Sequence, residues 1–252
     1  MKTPLRQISL AAVIALSCLS GAMADTVKLA GATTVVNVVI NPNRAAVEKS
    51  TGHTLEINGN ATGKGLVDLS EGRADAAMVS EPLDIAVAAA EIAGKKIDPA
   101  TLRMHELRKD EIVFLVHANN PVSKLTLAQL SDIHTGKVTN WKQLGGKDLA
   151  ITVYSDALTG GTRAMVKKVV MNGAEYAGGV KSLTSVSRIA ELVPNDESGI
   201  GGLGKGFVKA DGRTKVIETA KITRPLALVT IGDPSPKVTQ VINAFRSLVA
   251  GQ

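Results

Sequence analysis

Three short turns in this chain share one chemistry. Gly31-Ala32-Thr33-Thr34, Ala61-Thr62-Gly63-Lys64-Gly65 and Thr159-Gly160-Gly161-Thr162-Arg163 each set Gly and Thr between a β-like apolar run and a helical run. The start of a helix offers free backbone N–H groups and a partial positive charge, both of which suit an anion. Gly lets the main chain approach a ligand closely, and a Thr hydroxyl adds a donor. Thr and Gly are also ordinary helix caps, so one such turn means little. All three lie at the carboxyl ends of predicted strands, where α/β proteins bind ligands. The chemistry implied is capture of an oxyanion by uncharged dipoles, with Lys64 and Arg163 as adjoining cations.

Other patterns are empty. Gly199-Ile200-Gly201-Gly202-Leu203-Gly204 has dinucleotide-loop spacing but follows a polar loop, and no helical pattern opens behind it. Gly59 to Gly65 is one residue short of a phosphate-binding loop and lacks the closing Ser or Thr. His53, His105, His117 and His134 are scattered, without zinc-ligand spacing. There is no G-x-S-x-G elbow. No catalytic residue, metal or cofactor is expected, and Asp75, at a strand start, reads as structural.

The elements that must position these turns alternate β with α. Val27–Leu29, Thr54–Ile57 and Ala74–Val79 read as strands, with helices over 35–50 and 64–71 between them and another over 83–93. Pro42 is expected to kink or break the first helix. Further on, 111–116 and 151–154 read as strands, and 127–134, 162–170 and 185–193 as helices. The strand 225–231 and an amphipathic helix over 238–250 close the chain, the helix with Val238, Val241, Ile242, Phe245 and Leu248 on one face. The order implies mostly parallel sheets flanked by helices.

Composition sets the compartment and narrows the ligand. Lys2 and Arg6, the apolar run 8–19 and Ala22-Met23-Ala24 read as a signal peptide over residues 1–24. Export to the periplasm follows, and Cys18 is expected to be lost with that peptide rather than to carry a lipid. Removing Lys2 and Arg6 takes the net charge from +6 to +4, enough to steer anions but too little for nucleic acid. One Trp, two Tyr and three Phe leave few platforms for stacking bases or sugars.

Taken in order, the segments resemble the phosphate-binding, PstS-like receptors of ABC importers, in the type II periplasmic binding protein superfamily. Asn120-Pro121-Val122, Leu125-Thr126, Thr135-Gly136-Lys137 and Thr139-Asn140-Trp141 carry the most distinctive part of the likeness. Gly31 to Thr34, Asn60 to Leu66, Ala74-Asp75 through Ser80-Glu81-Pro82-Leu83, and Gly160-Gly161-Thr162-Arg163 resemble the family's ligand loops. Arg224-Pro225-Leu226 resembles its C-terminal segment. The resemblance implies a two-lobed α/β fold, each lobe a mixed, mostly parallel sheet flanked by helices, hinged on two crossing strands near 111–116 and 223–229. Lobe I would hold residues 25–112 and 224–252, and lobe II residues 113–223. The implied ligand contacts are Ala32, Thr33, Thr34, Thr62, Gly63, Lys64, Ser80, Glu81, Gly160, Gly161, Thr162 and Arg163. The implied partners are phosphate or a similar oxyanion and an ABC permease in the inner membrane, with the receptor itself a monomer.

Two departures concern the ligand. The family's Arg a few residues before the S-G-T-R loop is missing from Tyr154-Ser155-Asp156-Ala157-Leu158, and Ser80 stands where an Asp would accept the proton of hydrogen phosphate. Either Glu81 with Arg163 or Lys64 substitutes, or the ligand is another tetrahedral anion. A sensor or adhesion role on the same fold and a secreted phosphate-ester hydrolase are the alternatives. The chain also stops where family members often continue, so a further C-terminal segment is among the expectations.

Overall fold

A computed structural model describes residues 25–250. The signal peptide and Cys18, as well as Gly251-Gln252, lie outside the described residues. Strands β1 (Thr26–Gly31), β2 (Thr54–Gly59) and β3 (Ala76–Val79) alternate with helices α1 (Thr33–Val35), α2 (Asn41–Thr51) and α3 (Thr62–Ser70). After α4 (Leu83–Ile92), β4 (Leu102–His117) runs out of this first half into a second. There α5 (Leu127–His134), β5 (Thr152–Ser155), α6 (Gly161–Met165), β6 (Lys181–Ser182), α7 (Ser187–Leu192) and β7 (Gly199–Gly204) follow. The long strand β8 (Thr214–Ile231) returns to the first half, and α8 (Pro236–Val249) packs there.

The sheet order is β2-β1-β3-β8-β4-β7-β5-β6, so β4 and β8 are the shared middle of two half-sheets. β1 pairs parallel with β2 and β3, and β5 parallel with β6 and β7, while β8 is antiparallel to β3 and β4. Each half has its own apolar core. Val27, Leu29, Val39, Met78, Leu228 and Phe245 lie in the first, and Phe114, Val116, Trp141, Met165 and Ile200 in the second. Trp141 is buried and its Nε1 donates to the Ser198 carbonyl at 2.9 Å, so it packs the second half and stays away from the turns. Asp75 accepts the Lys28 backbone N–H at 2.7 Å and pairs with Lys237 at 3.1 Å, a structural role.

The crossing strands extend well beyond the apolar runs that announce them. β4 begins at Leu102 and β8 at Thr214, because strand pairing rather than burial holds the charged stretch Arg103–Asp110. Their register shifts between Glu106 and Arg108 and again between Ile112 and Phe114. Such irregularities bend and twist a ladder. Asp110 and Arg224 sit opposite each other between the two shifts.

Two local expectations are corrected, and one stretch left without an element gains one. Pro42 does not break the first helix: α1 widens into a π-helical stretch, Val36–Ile40, which runs into α2 with Pro42 in its first turn. The wider turn accommodates the missing N–H and the ring, which would clash with the carbonyl four residues back in a regular helix. The helix after β5 does the same, α6 passing into a π stretch over Val166–Val170. Gly199–Gly204 is itself a strand, β7, buried throughout. On α8 the buried face takes Val249, and Leu248 is exposed.

Candidate functional site

The three Gly/Thr turns meet. Residues Ala32, Thr33, Thr34, Ala61, Thr62, Ser80, Gly160 and Gly161 line one small cavity between the halves, joined by Asp156, Thr184 and Ser185. The turns after β1, β2 and β3 come from the first half, and those after β5 and β6 from the second. Direct contacts tie the two sides. The Gly63 N–H donates to the Thr159 carbonyl at 3.1 Å, and the Ser185 hydroxyl donates to Thr33 Oγ1 at 3.3 Å.

Backbone geometry brings these turns close enough. A β-carbon at Gly161 would overlap the Glu81 carboxylate and crowd Ser80, and one at Gly63 would overlap the Ala89 carbonyl of α4. Ala61, at the entry to α3, holds φ +83° and ψ 150°. That conformation suits Gly, and a non-Gly residue held there stores strain on the order of 1–3 kcal/mol.

Behind the cavity lies a guanidinium that the sequence did not single out. The Arg224 side chain is fully buried; Nε and Nη2 meet Asp110 Oδ2 at 3.0 and 2.9 Å. Its Nη1 donates to Thr162 Oγ1 at 2.8 Å and its Nη2 reaches Thr34 Oγ1 at 3.5 Å. One cation thus touches a hydroxyl from each half. A hydroxyl that accepts from Arg224 keeps its own hydrogen free to donate elsewhere.

Two buried carboxyls border the same space. Glu81 Oε2 accepts from Thr62 Oγ1 at 3.2 Å and from the Ser80 N–H and hydroxyl at 3.0 Å each, while Oε1 is buried without a partner. Burial pushes the Glu81 carboxyl up to about 7 against the pull of those hydrogen bonds and of Arg224. Asp156 lies against Gly160 and accepts the Ala157 N–H at 2.8 Å. Burial raises its carboxyl to about 6, opposed by that N–H and by Arg224.

The expected contact residues therefore separate. Ala32, Thr33, Thr34, Thr62, Ser80, Gly160 and Gly161 line the cavity. Thr162 and Glu81 are buried just behind it, bonded to Arg224 and to Thr62 with Ser80. Gly63 serves the packing against α4. Lys64 is exposed on the outer face of α3. Arg163 turns away, donating to Ser155 Oγ at 2.9 Å and Ser182 Oγ at 3.1 Å with its guanidinium 4.0 Å from the centre of the Tyr176 ring. Among the described residues, no group of three or more His, Cys, Asp or Glu is placed to hold a metal ion.

The geometry has counterparts among known proteins. A family model described as the PBP superfamily domain matches residues 19–244. The phosphate-binding protein PstS of Bacillus subtilis is 27% identical over 183 residues, which cover 73% of this chain and 58% of that protein. The chain thus spans less than two thirds of that relative, and 61% of the PstS of Staphylococcus saprophyticus. Among solved structures, a Clostridium perfringens protein with bound phosphate, assigned as the substrate-binding protein of a phosphate ABC transporter, superposes with a TM-score of 0.77. It is 26% identical, over 90% of this chain and 97% of that one. An ABC-type phosphate transport receptor of Vibrio cholerae gives 0.66 at 23% identity, over 89% and 95% of the two chains, and speaks for the fold.

Proposed function

The chain belongs to the PBP superfamily, and on that premise we propose that it is an exported receptor that closes two lobes around a small oxyanion, phosphate foremost. It would act in the periplasm as a monomer and deliver its ligand to an ABC permease. Lobe I would comprise residues 25–112 and 224–252 and lobe II residues 113–223, the chain crossing between them at the Asp110–Arg224 pair and the adjacent register shift.

One observation carries the reading: hydroxyls from both halves, Thr34 and Thr162, converge on one buried guanidinium beside a small polar cavity. Thr33, Thr34 and Ser80 from one lobe and the Gly160-Gly161 turn from the other would coordinate the ligand. Arg224 would donate to the hydroxyl oxygens of Thr34 and Thr162 and leave their hydrogens free for the ligand. Closing the lobes would bury the anion among fixed dipoles, where each hydrogen bond is stronger than in water. The phosphate-binding relatives support the choice of ligand.

Titration calorimetry of refolded, ligand-stripped protein against phosphate, sulfate, arsenate and molybdate tests this. Phosphate is expected to bind, and Thr34→Val with Thr162→Val to weaken it at least tenfold while circular dichroism is unchanged, since two charge-assisted donors are lost. Phosphate silent while sulfate binds would remove phosphate as the ligand. Silence from all four anions would remove the receptor reading.

A further inference from the structure

Charge around the cavity does not balance. Arg224 is the buried cation there, and Asp110 already takes two of its N–H groups. Asp156 and Glu81 are buried beside it with no cation of their own. Lys64 on α3 is exposed, as is Asp84 on α4, and Arg163 on α6 is committed to Ser155, Ser182 and Tyr176. An oxyanion arriving between Glu81 and Asp156 meets negative charge on both sides, and like charges in a dry site repel strongly.

The ionised Glu81 also takes the donors that the ligand needs. Thr62 Oγ1 and Ser80 Oγ, from two of the turns that line the cavity, both point at its Oε2. Its other oxygen, Oε1, is buried without a donor. An ionised oxygen so placed is unsatisfied. The same oxygen carrying a proton lacks only an acceptor, and an adjacent oxyanion is one.

We propose that Glu81 couples anion binding to proton uptake, the cleft taking a proton from solvent onto the Glu81 carboxyl whenever it takes an oxyanion. This rests on the receptor reading and adds a specificity to it. The neutral carboxyl removes the repulsion and frees Thr62 and Ser80 to turn to the ligand. Burial, which places this carboxyl at about 7, makes the protonation easy at neutral pH. Sulfate, with no proton to give up, is then accepted in mild acid and refused in mild alkali.

Sulfate is the probe, because it does not itself titrate in the working range. Its binding to the refolded, ligand-stripped protein is measured from pH 5 to 8.5 by calorimetry in buffers of differing ionisation enthalpy. Expected are uptake of close to one proton per sulfate at pH 8 and affinity falling about tenfold per pH unit above 7. In Glu81→Gln, the uptake should vanish and sulfate at pH 8 should bind at least tenfold tighter. Affinity independent of pH, absence of uptake, or uptake kept in Glu81→Gln overturns the proposal. So does phosphate binding with sulfate silent even at pH 5, which leaves the receptor reading intact. If Glu81→Gln does not fold, as judged by circular dichroism, the buffer dependence of the unmodified protein decides. If neither anion binds at any pH, the receptor reading has failed and takes this proposal with it.

Discussion

At the crossing strands, buried charge is closed off; a few ångströms away in the cleft it is left open. Asp110 and Arg224 face each other in register, accept and donate within 2.9–3.0 Å, and expose almost nothing. Glu81 and Asp156 are as deeply buried, but their partners are hydroxyls and backbone N–H groups. The first arrangement fixes where the lobes join. The second leaves groups whose charge depends on what else is present, as a site that must both hold and release an anion requires.

The contrast is most exposed to attack at Arg224. Arg224→Met leaves Asp110 buried and unpaired, which should cost about 3–5 kcal/mol, read as a lowered urea midpoint. Asp110→Leu with Arg224→Met should recover most of that loss, because no lone charge remains, and yet should not restore anion binding. A single variant as stable as the unmodified protein would mean that the crossing strands are not pinned by this pair.

A smaller effect separates the cleft carboxyl from the rest. The folded state holds Glu81 near 7 where an unfolded chain holds it near 4.5. The stability tied to this group is therefore complete below about pH 4.5 and lost as pH rises through 7, by roughly 3 kcal/mol. His134 works in the opposite direction: burial brings it down from 6.5 to about 4, so stability is lost as pH falls between those values. The unmodified protein should be most stable in mild acid. Glu81→Gln should hold its urea midpoint from pH 6 to 8 far better than the parent, because the decline that Asp156 contributes is mostly complete by pH 6. Equal declines in the two proteins would place the alkaline loss elsewhere.

The same contrast marks what the sequence could reveal. The turns were legible because Gly and Thr between a strand and a helix are local signals, and PBP membership of residues 19–244 bears out the two-lobed α/β expectation. Arg224 was not legible as a site residue. Its partner Asp110 is 114 residues away and Thr162 is 62, and only strand pairing brings them together. The first half of β4, Leu102–Asp110, hid because alternating charges mask an element held by its neighbours. Glu81 was visible only as the neighbour of Ser80, and nothing in its spacing says that Gly161 of the other half closes over it. Conversely, composition drew attention to Lys64 and Arg163, cations beside Gly/Thr turns, which the helical twist of α3 and the Tyr176 ring carry away from the cavity.

Lys64 provides the smallest and sharpest test of that last point. Its ammonium is exposed at the first turn of α3, two residues past Thr62. An exposed charge acts on a buried ion through water and salt, with a Debye length of about 8 Å at physiological ionic strength. If neutral donors and Arg224 hold the ligand, Lys64→Ala should change phosphate affinity less than about twofold in 0.15 M salt. Any larger effect should appear in the association rate and fade as salt is added, because steering acts at a distance while the buried hydroxyls act on contact. A tenfold, salt-resistant loss of affinity would instead place the ammonium on the anion, and the partition between closed hinge and open cleft would have to include a cation brought in from the surface.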